Sequence, residues 1–420
     1  MDIKDFNEWW KTGDISEDYK KLNKRVLFEE IIKYLKNRQI IVITGLRRVG
    51  KTVLMHHIID YLLKIKISPN NIVYFNFDLS KESIEEILKE YKEITNVDYK
   101  KENIFVFLDE IQKLENWQDN IKGIYDNYRN IKFLVSGSSS LFIEKKTKES
   151  LAGRSFDFKL LPLNFKEYLE LKNKIELLEN PLLYDNQIKG ELKKYTISGG
   201  FPELIDEEDE VKIKKYVKEL IIDKVIYIDI PKVFEIEEPE LLQSLISIVS
   251  SSPGIIVDYE SLANDLKRNR KTISNYLFYL EKSFILKKVY NFSRNLLTGE
   301  KKKKRFYPST TALTILYNAD YGKVIETLVL QNSDFKFFYR KNSKEVDFIH
   351  VNEKVIVPVE VKTKKKIDKR IKINMLDFMK RFDIWEGIVL TEDYEGEEET
   401  EWFGTKRKIK FIPLWKWLLK

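Results

Sequence analysis

The stretch that most constrains this chain is residues 45–52, which read Gly-Leu-Arg-Arg-Val-Gly-Lys-Thr and fill the pattern G-x-x-x-x-G-K-[S/T] without a mismatch. An apolar run, Ile40–Thr44, precedes it, and a helix-like stretch, Val53–Leu63, follows it. In a strand, loop and helix of this kind, backbone N–H groups and the helix N-terminus face phosphate oxygens. A chance glycine-rich turn would not have that context. The sequence therefore predicts a site for a nucleoside triphosphate.

The residues of this loop have separate predicted roles. Lys51 is placed to reach the β- and γ-phosphates, and the Thr52 hydroxyl is placed to bind Mg²⁺. Gly45 and Gly50 permit the tight curvature of the loop. We expect ATP to be the nucleotide. The predicted nucleotide contacts in this region are Gly45, Leu46, Arg47, Arg48, Val49, Gly50, Lys51, Thr52 and Val53.

The scarcity of soft metal ligands limits the remaining chemistry. The chain has no Cys and only three His, which are His56, His57 and His350. Zinc sites built on those ligands, disulfides and thiol catalysis are therefore excluded. Any metal chemistry must use carboxylates, which favour Mg²⁺ or Mn²⁺.

Length and hydropathy bound the domain count and the compartment. A chain of 420 residues exceeds the size of one core, so two to four domains are expected. No apolar run approaches the ~20 residues of a membrane span, and the N-terminus does not resemble a signal peptide. We expect a soluble, cytoplasmic protein without a membrane partner.

The first domain, 1–160, alternates apolar strand runs with amphipathic helices, which is typical of a parallel sheet covered on both faces. Ligands of such sheets bind at the carboxyl ends of the strands. The predicted strands are Ile40–Thr44, Ile72–Asp78, Ile104–Leu108 and Lys132–Ser136.

Two carboxylates end the third of these strands. Asp109 would hold Mg²⁺ through water, and Glu110 would polarise the attacking water, because phosphoryl transfer needs charge neutralisation and an aligned nucleophile. The alternative is a buried strand that merely stops at acidic residues. Their position about sixty residues after the phosphate loop favours the functional interpretation.

Three further domains are predicted after residue 160. Residues 161–234 read as helices broken at Pro and Gly, which indicates a helical lid. Residues 235–320 have the order of a winged helix-turn-helix, with Thr298–Arg305 as a Lys-rich wing. Residues 321–420 read as a small α/β domain. The predicted elements of that last domain are the helices Lys323–Leu330 and Lys369–Phe382 and the strands Phe335–Tyr339, Glu345–Val351, Val355–Lys362 and Gly387–Leu390.

The last domain contains a second set of carboxylates. Glu360 and Lys362 project to one face of their strand because side chains alternate. Asp347, on the adjacent strand, can meet Glu360 and form a Mg²⁺ site, and Lys362 can stabilise the charge of a phosphorane. Glu326, on the preceding helix, is the candidate third carboxylate. A scaffold that only binds or assembles is the alternative.

The charge of the chain is concentrated in one segment. Residues 261–310 contain thirteen Lys or Arg and three acids, within a net charge of +7 for the chain. A basic recognition helix and a basic wing suit phosphate contact, so DNA is the predicted partner. The alternatives are a solvated face or a protein contact. The predicted DNA contacts are Lys267, Arg268, Arg270, Lys271, Asn275, Lys301, Lys302, Lys303, Lys304 and Arg305.

Together these motifs resemble the archaeal and bacterial AAA+/STAND-type ATPases whose C-terminal half is related to restriction endonucleases. The resemblance rests on residues 45–52, 108–110, 136–138, 151–154 and 199–203. It implies a P-loop ATPase domain, a lid, a winged helix and a restriction-endonuclease-like domain. The fold class is therefore multi-domain α/β.

The resemblance also implies roles for residues outside the two carboxylate sets. Ser138, with Ser136 close behind, would be the sensor of the γ-phosphate or the attacking water. Arg154 is either an arginine finger or an ion-pair residue. Gly200, Phe201 and Pro202 would pack on the adenine, unless they form only a helix-breaking turn.

Two functions follow from these features. The first is a Mg²⁺-dependent ATPase that couples nucleotide state to DNA binding and DNA cutting. The second is a nucleotide-dependent signalling or assembly switch, in which the winged helix and an inert nuclease-like domain are protein contacts. A homo-oligomer is compatible with both.

Overall fold

The computed structural model describes residues 2–78, 82–137, 151–353, 355–363 and 369–420. The chain divides into two compact units, and each is described separately. The first unit comprises Met1–Leu161 and Ile228–Glu235, and the second comprises Pro162–Tyr227 and Ile236–Lys420. The predicted boundary after residue 160 lies next to the first division of the chain.

A five-stranded parallel sheet forms the centre of the first unit. Its strand order is β5-β1-β4-β3-β2, and every neighbouring pair is parallel. This sheet confirms the predicted α/β class. The edge strand β5 was not predicted, and its alternating exposure explains why it gives little apolar signal. The strands are β1 Ile40–Gly45, β2 Ile72–Asn76, β3 Ile104–Asp109, β4 Ile131–Gly137 and β5 Ser155–Leu160.

Helices cover both faces of this sheet, and the two central strands β1 and β4 are buried along their whole length. Burial on both faces accounts for their continuous apolar sequence. The helices are Ile3–Phe6, Trp9–Thr12, Glu17–Lys20, Val26–Ile31, Lys51–Lys64, Ile84–Thr95 and Trp117–Asn127, with 3-10 turns at Ile32–Tyr34, Pro69–Asn71 and Ile111–Lys113.

A nine-stranded mixed sheet forms the centre of the second unit. Its order is β13-β14-β12-β11-β10-β9-β7-β8-β6. Parallel pairing of β7 with β9 joins strands from either side of residue 320, so two predicted domains share one sheet. The strands are β6 Ile255–Val257, β7 Leu286–Asn291, β8 Lys304–Pro308, β9 Phe337–Lys341, β10 Lys344–Asn352, β11 Val355–Val361, β12 Glu386–Thr391, β13 Gly396–Trp402 and β14 Thr405–Pro413.

Helices of the second unit precede, interrupt and cover this sheet. The stretch Val225–Asp229 is π-helical and includes the point where the chain passes back to the first unit. The other helices are Phe165–Leu171, Ile175–Glu179, Asp185–Ser198, Glu210–Tyr216, the π-helical Val217–Ile222, Pro239–Ser251, Tyr259–Asp265, Arg270–Lys282, Leu296–Lys301, Thr311–Leu316, Tyr321–Gln331, Lys369–Phe382 and Leu414–Trp417, with a 3-10 turn at Pro202–Leu204.

The predicted Lys-rich loop is more ordered than expected. The segment Leu296–Lys301 is a helix, and the strand β8 begins at Lys304. The Asn295 side chain caps this helix by accepting a hydrogen bond from the Thr298 backbone N–H at 3.0 Å. The basic segment therefore runs from the end of a capped helix into an internal strand of the sheet.

Across the described ranges, every helix falls short of the length and apolar character that crossing a bilayer requires.

Candidate nucleotide site and carboxylate cluster

The phosphate loop requires glycine at its first position. A Cβ at Gly45 would lie 2.2 Å from the Leu160 backbone oxygen, which no side chain can accommodate. Gly50 has a φ of +94° and immediately precedes the helix Lys51–Lys64. The loop is also supported from outside by Arg25, whose Nη1 donates to the Val49 backbone oxygen at 2.8 Å. The predicted phosphate-binding loop therefore has the strand, turn and helix that its sequence indicates.

Lys51 lies folded over this loop. Its Nζ donates to the backbone oxygens of Leu46 at 3.2 Å and Gly45 at 3.4 Å, and the residue is buried. These contacts hold the ammonium at the loop, and because the carbonyl groups are neutral they do not compensate its positive charge. Lys51 is thus positioned to exchange carbonyl oxygens for phosphate oxygens.

Asp109 is the centre of the polar contacts at the ends of the strands. Its Oδ2 accepts from the Thr52 hydroxyl at 2.5 Å and from the Tyr74 hydroxyl at 2.9 Å. Its Oδ1 accepts from the Ser136 hydroxyl and from the Glu110 backbone N–H at 3.0 Å. Asp109 and Thr52, the two predicted Mg²⁺ ligands, therefore lie in direct contact.

Glu110 has a backbone conformation that turns it away from the path of its strand. Its φ is +51°, in the left-handed region that few non-glycine residues adopt, and the Gln112 Nε2 donates to its Oε2 at 2.5 Å. Burial raises the pKa of Glu110, although the charge of Lys51 opposes that effect. Strained backbone conformations are concentrated at functional sites, and a raised pKa makes this carboxylate a stronger base.

An ion pair that the sequence did not predict fixes the phosphate loop to a distant segment. The Arg47 Nε donates to Asp229 Oδ2 at 2.7 Å, and its Nη2 donates to Oδ1 at 2.6 Å. Asp229 is 4% exposed. Sequence reasoning assigned residue 229 to the lid, whereas Ile228–Glu235 packs in the first unit with the loop.

We expect the substitution Asp229→Asn to destabilise the first unit. It leaves a partly buried guanidinium without its carboxylate, and a hydrogen bond to a charged group contributes about 2 kcal/mol. Urea unfolding followed by fluorescence measures the change. Asp119→Asn, at an exposed helical position, is the matched control, and an equal effect of both substitutions would contradict the assignment.

The other predicted residues of this site have different outcomes. Ser138 lies outside the described residues. Arg154 forms a two-point ion pair with Asp126, at 3.0 and 3.1 Å, which is the second of its two predicted roles. Pro202 begins a 3-10 turn, and the preceding Phe201 is fully buried in the second unit.

The second unit brings together Asp347 and Glu360, as their spacing predicts. The Asp347 backbone N–H donates to Glu360 Oε2 at 3.0 Å, and the Val361 backbone N–H donates to Asp347 Oδ2 at 3.0 Å. The Lys362 Nζ lies 3.0 Å from Glu360 Oε1 and 3.6 Å from Asp347 Oδ2. The two buried carboxylates therefore share one ammonium group.

Glu326 is oriented by other partners, which corrects its prediction as a third metal ligand. Lys323 Nζ donates to its two oxygens at 2.7 and 2.9 Å, and the Tyr307 hydroxyl donates at 3.1 Å. Within the ranges that the structure describes, no three His, Cys, Asp or Glu side chains are grouped so that they could hold a metal ion. Of the three predicted carboxylates, Asp347 and Glu360 are the two that the structure links directly.

Burial makes this cluster sensitive to pH. Burial, reinforced by the charge of Asp347, raises the pKa of Glu360 from 4.5 to about 8. The same two causes raise the pKa of Glu326 from 4.5 to about 7. Both carboxyl groups are therefore held more readily in their protonated forms in the folded chain.

We expect these shifts to lower stability as pH rises. A carboxyl group whose folded-state pKa is raised stabilises the fold fully below pH 4.5 and loses that contribution as pH rises through about 8. The decline in melting temperature between pH 5 and 9 should be smaller in Glu360→Gln than in the wild type. Glu353→Gln, at an exposed residue of the same hairpin, is the control. The same decline in wild type and Glu360→Gln would contradict the expectation.

A cavity of about 700 Å³ borders this cluster in the second unit. Val361 and Lys362 form part of its wall, together with two aromatic residues, Tyr321 and Trp415. Lys193 also lines it and has no ion-pair partner within the described part of the chain. Apolar walls, aromatic rings and the Lys193 ammonium therefore line a cavity that reaches Lys362, although neither Asp347 nor Glu360 lines it.

The predicted DNA contacts differ in their exposure and in their partners. Lys267, Arg270, Lys271, Asn275 and Lys301 are exposed. Arg268 pairs with Glu238, Lys303 pairs with Asp258 at 2.5 Å, and Lys302 and Lys304 donate to the backbone oxygens of Phe292 and Glu300.

Among these residues, the prediction that is most clearly wrong is that Arg305 lies in an exposed wing. It is 3% exposed, because it belongs to the internal strand β8 and is not on an exposed loop. Its Nη2 donates to Glu345 Oε1. The sequence predicted Arg305 as the end of a basic run, because the pattern shows the neighbouring lysines but not the strand pairing that buries Arg305.

Tyr74, Arg25 and Asp229 were also missed by sequence reasoning. Each contacts its site from a position far away in the chain, and none belongs to a motif. An apolar run that ends in a polar pair predicts Asp109 and Glu110, but no local signal predicts the side chains that hold them.

This fold and this loop define a P-loop ATPase domain of the AAA+ class. Residues 37–169 match the family described as AAA domain, and residues 189–315 match a domain of unknown function, DUF8612. The chain belongs to the same family as the uncharacterized protein MJ1637 of Methanocaldococcus jannaschii, which is 30% identical over 92% of this chain and 89% of the relative.

Other relatives come from archaea and bacteria. MJ1544 of Methanocaldococcus jannaschii is 28% identical over 95% of this chain and 96% of its own length. A protein of Haemophilus influenzae is 26% identical over 93% and 97%. The ORC2 protein of Aeropyrum pernix, solved in ADPNP-ADP complexes, aligns with 74% of this chain and 96% of its own at 14% identity and a TM-score of 0.38, a likeness from which no function follows.

Proposed function

We propose that this protein is a Mg²⁺-dependent ATPase that couples ATP binding and hydrolysis to DNA binding and to metal-dependent DNA cleavage by the second unit. The observation that carries the cleavage proposal is the contact of Asp347, inside β10, with Glu360 and Lys362, at the end of the paired strand β11. Two carboxylates and an ammonium are the groups that phosphodiester hydrolysis uses. The cavity that Lys362 helps to line is large enough for a nucleotide.

The donor sets suit Mg²⁺ or Mn²⁺ in both units. Mg²⁺ is often bound through one or two carboxylates, with water and substrate phosphates as its other ligands. Thr52 with Asp109, and Asp347 with Glu360, supply such oxygens. When bound, the ion would neutralise phosphate charge and activate water.

The residues of the first unit divide the work of ATP hydrolysis. Lys51 would move from the loop carbonyls to the β- and γ-phosphates. Glu110, with a raised pKa, would orient the attacking water and accept its proton. Ser138 would contact the γ-phosphate.

A winged helix within residues 235–320 would bind the DNA. The helix Arg270–Lys282 begins with Arg270 and Lys271 exposed, and neither has an ion-pair partner among the residues described. Asn275 is exposed one turn later. Free cations at a helix start favour phosphate contact over a purely structural role.

Replacing Arg270 and Lys271 by Ala should lower the affinity for DNA and make that affinity less dependent on salt concentration. Each lost phosphate contact lowers the slope of log affinity against log salt by about 1, so the pair should lower it by about 2. Fluorescence anisotropy from 50 to 200 mM KCl measures the slope. Lys282→Ala, at the other end of the helix, is the control. An unchanged slope in the double variant would reject this surface.

A nucleotide-dependent signalling or assembly switch is the second candidate. The ion pairs of Arg268 with Glu238 and of Lys303 with Asp258 favour it, because they occupy two predicted DNA contacts. In that case nucleotide binding would drive homo-oligomer formation to the same extent with and without DNA. Light scattering would detect the oligomer.

A further inference from the structure

The cavity of about 700 Å³ in the second unit lies at the carboxyl ends of three neighbouring parallel strands. Lys362 follows the end of β11, Thr391 ends β12, and Leu414 follows the end of β14. All three residues line the cavity. Sheets with parallel strands bind their ligands at this edge. The position of the cavity in the sheet therefore indicates a ligand site.

The walls of this cavity are mostly apolar. Aliphatic surface comes from Leu192, Ile197, Ile325 and Val361. Trp415 adds an indole ring, and the residue is only 5% exposed. Ligand sites of roughly 300–1,000 Å³ are usually lined in this way, with a few polar groups that orient the ligand. Such walls favour a ligand with apolar faces over a small hydrated ion.

Polar groups of both signs lie where the cavity opens to solvent. Lys193 and Glu392 line it and are exposed, and the Tyr321 ring between protein and solvent is 60% exposed. An ammonium donor and a carboxylate acceptor suit a neutral group whose edge carries both acceptors and donors. A nucleobase has such an edge together with apolar faces, and aromatic side chains stack on those faces.

Lys362 connects the cavity to the carboxylate cluster. Its side chain is 27% exposed and lines the cavity, while its Nζ lies 3.0 Å from Glu360 Oε1. Its backbone N–H donates to the Leu390 backbone oxygen at 2.8 Å, which fixes its position at the end of β11. A nucleotide whose base occupies the cavity would therefore carry its phosphate toward the groups proposed for cleavage.

We propose that the cavity binds an unpaired nucleobase of DNA beside the phosphodiester that is cleaved. The identity of this ligand rests on the proposed cleavage function. In that reaction water adds to phosphorus and one P–O ester bond breaks, which yields a phosphomonoester and an alcohol, and the base itself is unchanged. A base inside the cavity cannot pair with the opposite strand, and extruding it costs least where it is already unpaired. The second unit therefore selects nucleotides that lie outside a regular duplex.

The test fills the cavity by the substitution Ile197→Trp in the full-length protein. Ile197 is half-buried, lines the cavity and lies next to the end of the helix Asp185–Ser198. Fluorescence anisotropy, with EDTA present so that no DNA is cut, compares two duplexes. One has a single unpaired deoxyadenosine, and the other has an abasic residue at that position. We expect the wild type to bind the first about tenfold more tightly, because base stacking contributes on that order, and Ile197→Trp to bind both equally.

A second variant keeps the test decisive if Ile197→Trp melts early. Tyr321→Ala removes an exposed ring from the cavity and should reduce the tenfold preference to about threefold. Tyr227→Ala is the matched control, because Tyr227 is a 49% exposed tyrosine of the same unit outside the cavity lining. It should keep the full preference. A preference that persists in Ile197→Trp or in Tyr321→Ala would place the base elsewhere and overturn the inference.

A free mononucleotide carries the same base, so dAMP is the second ligand in the binding measurement. We expect dAMP to bind more weakly than the DNA with the unpaired deoxyadenosine. Tighter binding of dAMP than of this DNA would assign the cavity to a free nucleotide and would overturn the assignment to DNA.

The outcomes distinguish this inference from the function on which it rests. Equal affinity of the wild type for the two duplexes, together with cleavage in Mg²⁺ or Mn²⁺, would overturn the base site and keep the proposed function. A preference that Ile197→Trp abolishes, in a protein that does not cleave, would keep the base site and overturn the proposed cleavage.

Discussion

The substitution Glu110→Gln should abolish most ATP hydrolysis while leaving ATP binding intact. The amide keeps the size of the side chain and its contact with Gln112, but it cannot accept a proton from water. Loss of a general base lowers a rate by about 10² to 10⁴-fold. Phosphate release measures the hydrolysis, and binding of a fluorescent ATP analogue measures the affinity.

The control for this prediction is Glu115→Gln, an exposed glutamate in the same part of the chain. It should hydrolyse ATP at the wild-type rate. Lys51→Ala should instead weaken ATP binding, because it removes the ammonium at the loop. Hydrolysis by Glu110→Gln within twofold of the wild type would remove Glu110 from the mechanism.

The substitution Glu360→Gln should eliminate metal-dependent DNA cleavage. It removes one of two buried carboxylates whose joint negative charge would bind the cation. A metal ion contributes several kcal/mol to phosphoryl transfer, so we expect a loss of about 10³-fold. Gel analysis of end-labelled single-stranded, duplex and branched DNA with Mg²⁺ or Mn²⁺ gives the rates.

Glu353→Gln is the matched control because Glu353 is exposed at the turn of the same hairpin. It should cleave like the wild type. The melting temperature at pH 5 should be similar in all three proteins, which excludes unfolding as the cause. Cleavage that persists in Glu360→Gln would mean that another nuclease or another site is responsible.

Elements whose signal is local were predicted well. The phosphate loop was expected at 45–52 and forms between β1 and the helix that begins at Lys51. The strand ending at Asp109 was expected one residue shorter than it is. Hydrophobic runs and turn residues lie next to one another in the chain, so a sequence pattern reveals them.

Elements whose stability depends on partners were missed. The hairpin of β13 and β14, Gly396–Trp402 and Thr405–Pro413, is rich in charge, and β13 has almost no apolar residues. Its strands are held by cross-strand pairs such as Lys408 with Glu397, at 2.5 Å. Such pairs become visible only when the register is known.

The same limit applies to the candidate sites. Motif spacing predicted Asp347, Glu360 and Lys362, which the structure brings together. The charge pattern misplaced Arg305, because the burial of a basic residue depends on the strands on either side of it. It also gave no sign of Asp229, which reaches Arg47 across 182 positions of sequence.

The central claim is that the nucleotide state of the first unit controls DNA cleavage by the second. It is tested most directly by the DNA cleavage rate with ATP, with ADP and without nucleotide, in the wild type and in Lys51→Ala. We predict that ATP changes the wild-type rate severalfold and leaves the rate of Lys51→Ala unchanged. A wild type that does not cut, or that cuts equally under all three conditions, would contradict the coupling.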